Sequence, residues 1–425
     1  MTPAAPATLE RQAVDPAAML GLPEHPDRSA AIAEAHARPS LPIDVPATIH
    51  QLAISTPNEQ ADAVLYRCLF DEEADRVPRH RILRRGALTV KWERHTEFVS
   101  IELMSHGDSR VGEELIVRIR GVFPEGASLL VALRVRVVRE RSAPLIDDAI
   151  GGLLRGGIEV TSTFHVGPAG YIDLDVVVAD GVGREQLGRR LQRVLEAETY
   201  RTMALVGLPL ARRVSPELFK LETGLAEVTE MLSSGAGSDE AILERLQQLS
   251  AETEAMRAKT RYRFSASRAY ATLVEERLDS MAEEKVGERP TLTGFTRTRL
   301  APAIRTIVSV EQRQAELSAA LGRALNLLRA RVDVQMNKAD QEILSSMNER
   351  QHRQLIISEA VESLSVIAIS YYLLGILSYP VKALKDVGAL PLSETVTLGL
   401  LAPFVAVLVF VALRTIRAGW LARRS

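Results

Sequence analysis

The run from Leu364 to Val381 reads LSVIAISYYLLGILSYPV and holds no charged residue. A second run, Val396 to Leu413, reads VTLGLLAPFVAVLVFVAL and is equally free of charge. As a helix each would be roughly 27 Å long, close to one hydrocarbon thickness. The segment between them, KALKDVGALPLSET, is long enough for a turn. The two runs predict a transmembrane hairpin at the C-terminus. Arg350 and Arg353 precede the first span, and Arg414, Arg417, Arg423 and Arg424 follow the second. Only Lys382 and Lys385 are basic in the loop. The positive-inside bias then puts both termini in the cytoplasm and the loop outside. The competing reading is a buried helical hairpin of a soluble fold.

Outward from the hairpin, the chain is long enough for two or three structural regions. Its 425 residues carry a net charge of −2, which gives no bulk attraction to nucleic acid. Cys68 is the one cysteine, so no intramolecular disulfide can form. The first twenty residues lack a basic start followed by an apolar core, so no secretory signal is expected.

Residues 1–22, rich in Ala and Pro, read as a mobile N-terminus. A short helix is expected from Ser29 to His36, then an extended stretch set by Pro39, Pro42 and Pro46. A helix is expected over residues 58–70, with Cys68 as a small core side chain. From Arg85 to Gly181 the apolar period becomes two. Strands are expected over residues 88–99, 114–120, 128–138, 158–166 and 171–178, mostly joined as hairpins. The glycine-rich run 151–157 lacks a phosphate-loop order and reads as a turn or loop. With flanking helices this gives an α+β domain over residues 23–182. Beyond Gly183 the pattern is helical, with a new helix starting at Ser215-Pro216-Glu217, another over 239–284, and a last one from about Pro302. Leu317, Leu321, Leu325, Leu328, Val332, Met336, Ala339, Ile343 and Met347 recur at gaps of three and four. That spacing predicts a helical bundle or coiled-coil stalk over residues 183–363. It passes without a break into the transmembrane hairpin (364–413), and a basic cytoplasmic tail (414–425) follows.

Four segments carry a resemblance: His25-Pro26-Asp27-Arg28 with Glu34-Ala35-His36-Ala37-Arg38-Pro39, then Lys91 to Phe98 (KWERHTEF), Glu198-Thr199-Tyr200-Arg201, and Leu364 to Tyr372. Together they resemble a bacterial family catalogued as domain of unknown function 3422, predicted to be membrane-anchored. The resemblance implies a C-terminal anchor and carries no activity, cofactor or catalytic residue.

The candidate ligand or metal residues are Glu93, His95 and Glu97, with His25 and His36 from the N-terminal segment. On one extended strand Lys91, Glu93, His95 and Glu97 would share a face. Two carboxylates and an imidazole suit a metal or an acid/base pair; the plainer reading is a wet face of ion pairs. Arg118, Arg120, Arg134, Arg136, Arg139 and Arg141 read as basic strand faces. Aromatics do not interleave with them, so nucleic acid is not an expected partner. In the first span Ser370, Tyr371, Gly375, Ser378 and Tyr379 add small and polar groups, which suits contact with protein more than lipid. A long helix before two C-terminal spans resembles magnesium channels of the CorA type by topology alone. Their Gly-Met-Asn signature is replaced here by Leu377-Ser378-Tyr379-Pro380.

The expectation is therefore a multi-pass protein of the bacterial inner membrane that serves as a binding or scaffold module. It would contact the lipid bilayer, self-associate through its stalk and take a protein partner. An oligomeric channel and an enzyme centred on His95 are the alternatives.

Overall fold

The computed structural model describes residues 23–29, 31–32, 39–73, 76–107, 110–142, 144–386 and 391–421, with side chains up to residue 416. The expected mobile segment 1–22, most of the expected helix 29–36 with His36, the side chain of Arg417, and Arg423 and Arg424 of the tail lie outside what is described. Contacts divide the chain into two compact units, one ending at Ala324 and the other beginning at Leu325.

The first unit is built on one nine-stranded sheet. Its strands are β1 (Ala47–Ser55), β2 (His80–Arg85), β3 (Leu88–Arg94), β4 (Val99–His106), β5 (Ser128–Val138), β6 (Ile150–Leu154), β7 (Ile158–Val166), β8 (Ile172–Val178) and β9 (Glu283–Glu284). Their order is β2-β3-β4-β1-β5-β8-β7-β6-β9. Every neighbouring pair is antiparallel except β5 with β8, so the sheet is mainly antiparallel as expected. The helices of the first unit include α1 (Glu59–Phe70), α2 (Val111–Gly121), α3 (Arg184–Leu205), α4 (Gly207–Ser234), α5 (Asp239–Met281) and the start of α6 (Leu292–Asp386).

Each sheet face has its own core. On one face Leu52, Val90, Trp92, Ile101 and Leu103 pack with Leu65, Leu69 and Phe70 of α1 and Ile119 of α2. On the other, Ile49, Met104, Leu133, Val135 and Val176 pack with Leu187 and Leu191 of α3 and with Val274 and Leu278 of α5. Covering both faces explains why β1 shows no alternation. Its centre is buried on both sides, and a two-sided strand reads as a continuous apolar run.

Several local expectations are corrected. The run 88–99 is a hairpin, not one strand. β3 ends at Arg94 and β4 starts at Val99, and the His95 N–H donates to the Phe98 carbonyl at 2.9 Å to close the turn. Residues 114–120 lie in helix α2. That window fits both periods: Leu115, Val117 and Ile119 alternate, while Leu115, Ile116 and Ile119 share a helical face. The structure buries Ile119 and leaves Val117 70% exposed, which is the helical solution. Gly151 and Gly152 form part of β6 instead of a loop. A Cβ on Gly151 would stand 2.0 Å from the Val160 carbonyl oxygen, so only glycine lets β7 approach there. α4 starts at Gly207, with Pro209 in its first turn and Pro216 inside it. α6 starts ten residues before Pro302 because Glu283 of β9 caps it: Leu292 N and Thr293 N donate to the two carboxylate oxygens at 2.7 and 2.8 Å.

The second unit contains the remainder of α6, a single helix of 95 residues, and α7 (Glu394–Leu421). Both helices are long and apolar enough to cross a membrane. Only 6% and 11% of their apolar windows are buried. The core hairpin of a soluble fold would be mostly covered, and within this chain these two windows are not.

Candidate functional site

The β3–β4 turn forms one wall of a cleft of about 690 Å³. Its other walls come from the start of α1 (Asn58, Glu59, Asp62), the start of β2 (Arg79, His80), Tyr200 of α3, and Tyr270 and Leu273 of α5. Local chemistry sets each wall. Asn58 caps α1 by accepting from the Ala61 N–H at 2.9 Å, which fixes the first helical turn at the cleft rim. In the turn, the His95 ring lies over Phe98 with centroids 4.3 Å apart and planes 17° apart. Phe98 is fully buried and anchors the turn to the core.

Glu97 is the electrostatic centre of the cleft. Arg263 of α5 grips it with both terminal nitrogens, at 2.8 and 3.2 Å. Burial pushes the Tyr270 phenol far up, and the adjacent Glu97 carboxylate adds to this. At the opposite rim Arg94 Nη1 donates to Glu59 at 2.8 Å and lies 3.9 Å from Asp62. Burial pushes the Asp62 carboxyl up, against the Thr56 hydroxyl and Arg94. The cleft thus offers carboxylates and arginines around an aromatic floor. It suits a ligand with polar groups of both signs more than a bare ion.

Beside the cleft, Lys91 and Glu93 are buried, and so is Glu102 of β4. Lys91 Nζ lies 3.1 Å from Glu93 Oε1 and 4.0 Å from Glu102 Oε2. Burial pushes the Glu102 carboxyl up although Lys91 opposes it; Glu93 and Glu196 of α3 push the same way. Next to this pair of strands, Gln51 Nε2 donates to Ser100 Oγ at 2.6 Å, and Arg277 of α5 bonds to Glu196.

The structure brings His95 and Glu97 into the cleft but separates them from Glu93. A shared strand face required β3 to run on through Glu97, and it stops at Arg94. Lys91 and Glu93 are also not on a wet face, because α3 and α5 cover it. His25 is exposed and does not line the cleft, and His36 is outside the described residues. Among the described residues no group of three or more His, Cys, Asp or Glu is placed to hold a metal. Tyr200, Tyr270, Arg263 and Asp62 were not singled out from the sequence. They come from three separated helices, α1, α3 and α5, and only the Glu198–Arg201 stretch carried a signal.

The basic strand faces are corrected as well. Arg134 and Arg136 of β5 pair with Asp173 and Asp175 of β8, at 2.6 and 2.8 Å. The parallel register sets these residues side by side. Arg141 pairs with Glu159 at 3.4 Å, and Arg118 and Arg120 are on α2. The Cys68 thiol is buried, and burial pushes its pKa up, as suits a core side chain.

No curated protein and no solved structure matches the chain. The model of the family described as Protein of unknown function (DUF3422) matches residues 23–420, nearly the whole length, and the chain belongs to that family.

Proposed function

We propose that this protein is a membrane-anchored binding protein. Residues 364–413 form a hairpin in the bacterial cytoplasmic membrane, and the sheet-centred unit works in the cytoplasm. The observation that carries the reading is the pair of long apolar helices whose spans are almost wholly uncovered by protein. Lipid is the partner that removes such surface from water. The arginines flanking the hairpin outnumber the two lysines between the spans, which supports cytoplasmic termini. In this reading the Glu97 cleft holds a small polar ligand.

Self-association of α6 belongs to the same reading. The series Leu317, Leu321, Leu325, Leu328, Val332, Met336, Ala339, Ile343, Met347 repeats gaps of four, four and three. This is an eleven-residue period, which keeps one stripe along a nearly straight helix. Leu317 and Leu321 are buried, whereas Met336, Ile343 and Met347 are exposed. No observation favours an ion path or catalysis over binding.

A topology experiment tests the proposal. Reporters active only in the cytoplasm or only outside it are fused after Ser425 and within the loop after Asp386. The proposal requires a cytoplasmic signal at Ser425 and an external one in the loop. An external Ser425 or a cytoplasmic loop would contradict it.

A further inference from the structure

Among the described residues the strand β2 ends the sheet, and β3 is its sole strand partner. Its sequence is HRILRR, and it pairs with β3 over all six residues without a register shift. The stretch RVPRHRILRR, from Arg76 to Arg85, has five arginines and no acid, in a chain of net charge −2. Edge strands of soluble proteins are commonly shortened, bulged or interrupted by proline. β2 has no bulge or proline within its span; its guard is charge, and the arginines that discourage unselective pairing favour an acidic strand.

Beside the strand lies a groove of about 260 Å³ whose apolar lining includes Leu83 of β2, Val90 of β3, Leu69 of α1 and Leu115 of α2. Arg85 and Arg118 form its basic rim, with Glu114 also present. The ladder places Arg81, Leu83 and Arg85 on the groove side, opposite Trp92, Val90 and Leu88. Arg84 points to the other side and has no ion pair among the described residues. Arg81 and Arg85 are tied to Glu72 and Asp71, at 3.2 and 3.0 Å, in exposed pairs. Exposed pairs of this kind contribute little and exchange readily for a new carboxylate.

We propose that β2 is a docking edge for an extended acidic peptide segment of a partner protein. The segment adds a tenth strand to the sheet. Its backbone takes the outer N–H and C=O groups of β2, one apolar side chain enters the groove beside Leu83, and carboxylates meet Arg81, Arg84 and Arg85. Main-chain pairing supplies affinity, and the alternating side chains supply selection. A second copy of this chain is the poorer occupant. Pairing β2 with its own copy antiparallel about Leu83 sets Arg81 against Arg85 twice, and pairing about Ile82 sets the basic His80 and Arg84 opposite each other twice; like charges directly opposite repel. The proposal deepens the binding reading but is independent of the Glu97 cleft, since groove and cleft share no lining residue.

The test uses the full chain in neutral phosphatidylcholine nanodiscs and the labelled peptide TEEVTET, with binding read by fluorescence anisotropy. Two further peptides carry N-methyl groups on alternate residues, each blocking one backbone edge. The proposal requires saturable binding, loss of binding with one N-methyl pattern and retention with the other. It also requires a drop of about tenfold or more for Arg81→Glu with Arg84→Glu, at unchanged circular dichroism. No saturable binding would overturn it. Equal binding of both N-methylated peptides would overturn it too, because backbone pairing would then be absent. Displacement of the peptide by phosphatidylglycerol vesicles but not by excess unlabelled TEEVTET would assign the arginines to anionic lipid instead. Reporter topology is unaffected by any of these outcomes, so failure here is distinguishable from failure of the anchoring.

Discussion

Lys91 is the ammonium nearest to two buried carboxylates, Glu93 at 3.1 Å and Glu102 at 4.0 Å. Removing it leaves buried negative charge uncompensated. Lys91→Met should therefore destabilise the first unit by roughly 3–5 kcal/mol in urea unfolding, and a near-wild-type midpoint would refute the role given to the ammonium. Glu102 makes the complementary case through pH. Its folded pKa is raised, chiefly by burial. A raised carboxyl gives its full stability below the ordinary carboxylate range and loses it as pH rises from about 4.5 toward the folded value. Glu102→Gln removes that loss, so the variant should gain stability relative to the wild type as pH rises from about 4 to 8. A difference that stays flat over this range would show that folding does not raise the Glu102 pKa. These charges were visible in the sequence, but their burial was not. Alternation places Lys91 and Glu93 on one face, and only the later segments α3 and α5 decide that this face is covered.

At the scale of elements, close approach of backbone decides what sequence patterns leave open. Gly188 sits on α3 where a Cβ would stand 1.9 Å from the Leu41 carbonyl oxygen. The neighbouring Ile43 N–H donates to the Arg184 carbonyl at 3.1 Å, so the chain entering β1 is pinned to this helix. Gly188→Ala should push the two apart and cost about 2 kcal/mol or more, read as a lowered urea midpoint. An unchanged midpoint would mean that residues 41–43 do not pack on α3. The helices α1 and α5 were legible because their caps are local: Asn58 accepts from Ala61 and Ser238 from Ala241. The start of α6 was not, because its cap is Glu283, a carboxylate nine residues back in the chain. The candidate site divides in the same way. The turn residues His95 and Glu97 stood out in one short segment, whereas their partners Arg263 and Tyr270 lie over 160 residues away along the chain. No local pattern links them.

At the scale of the whole molecule, the chain joins a sheet-based unit to a second unit with two apolar helices, α6 being the element they share. The apolar runs were the clearest signal in the sequence because a charge-free helix-length run needs no tertiary partner to be recognised. The uncovered apolar surface of α6 and α7 calls for membrane insertion through residues 364–413. Alkaline carbonate extraction of membranes carrying the full chain, or a version lacking residues 364–413, tests it most directly. The full chain should stay in the membrane pellet and the shortened chain should be released to the supernatant. Release of the full chain by carbonate would contradict membrane insertion.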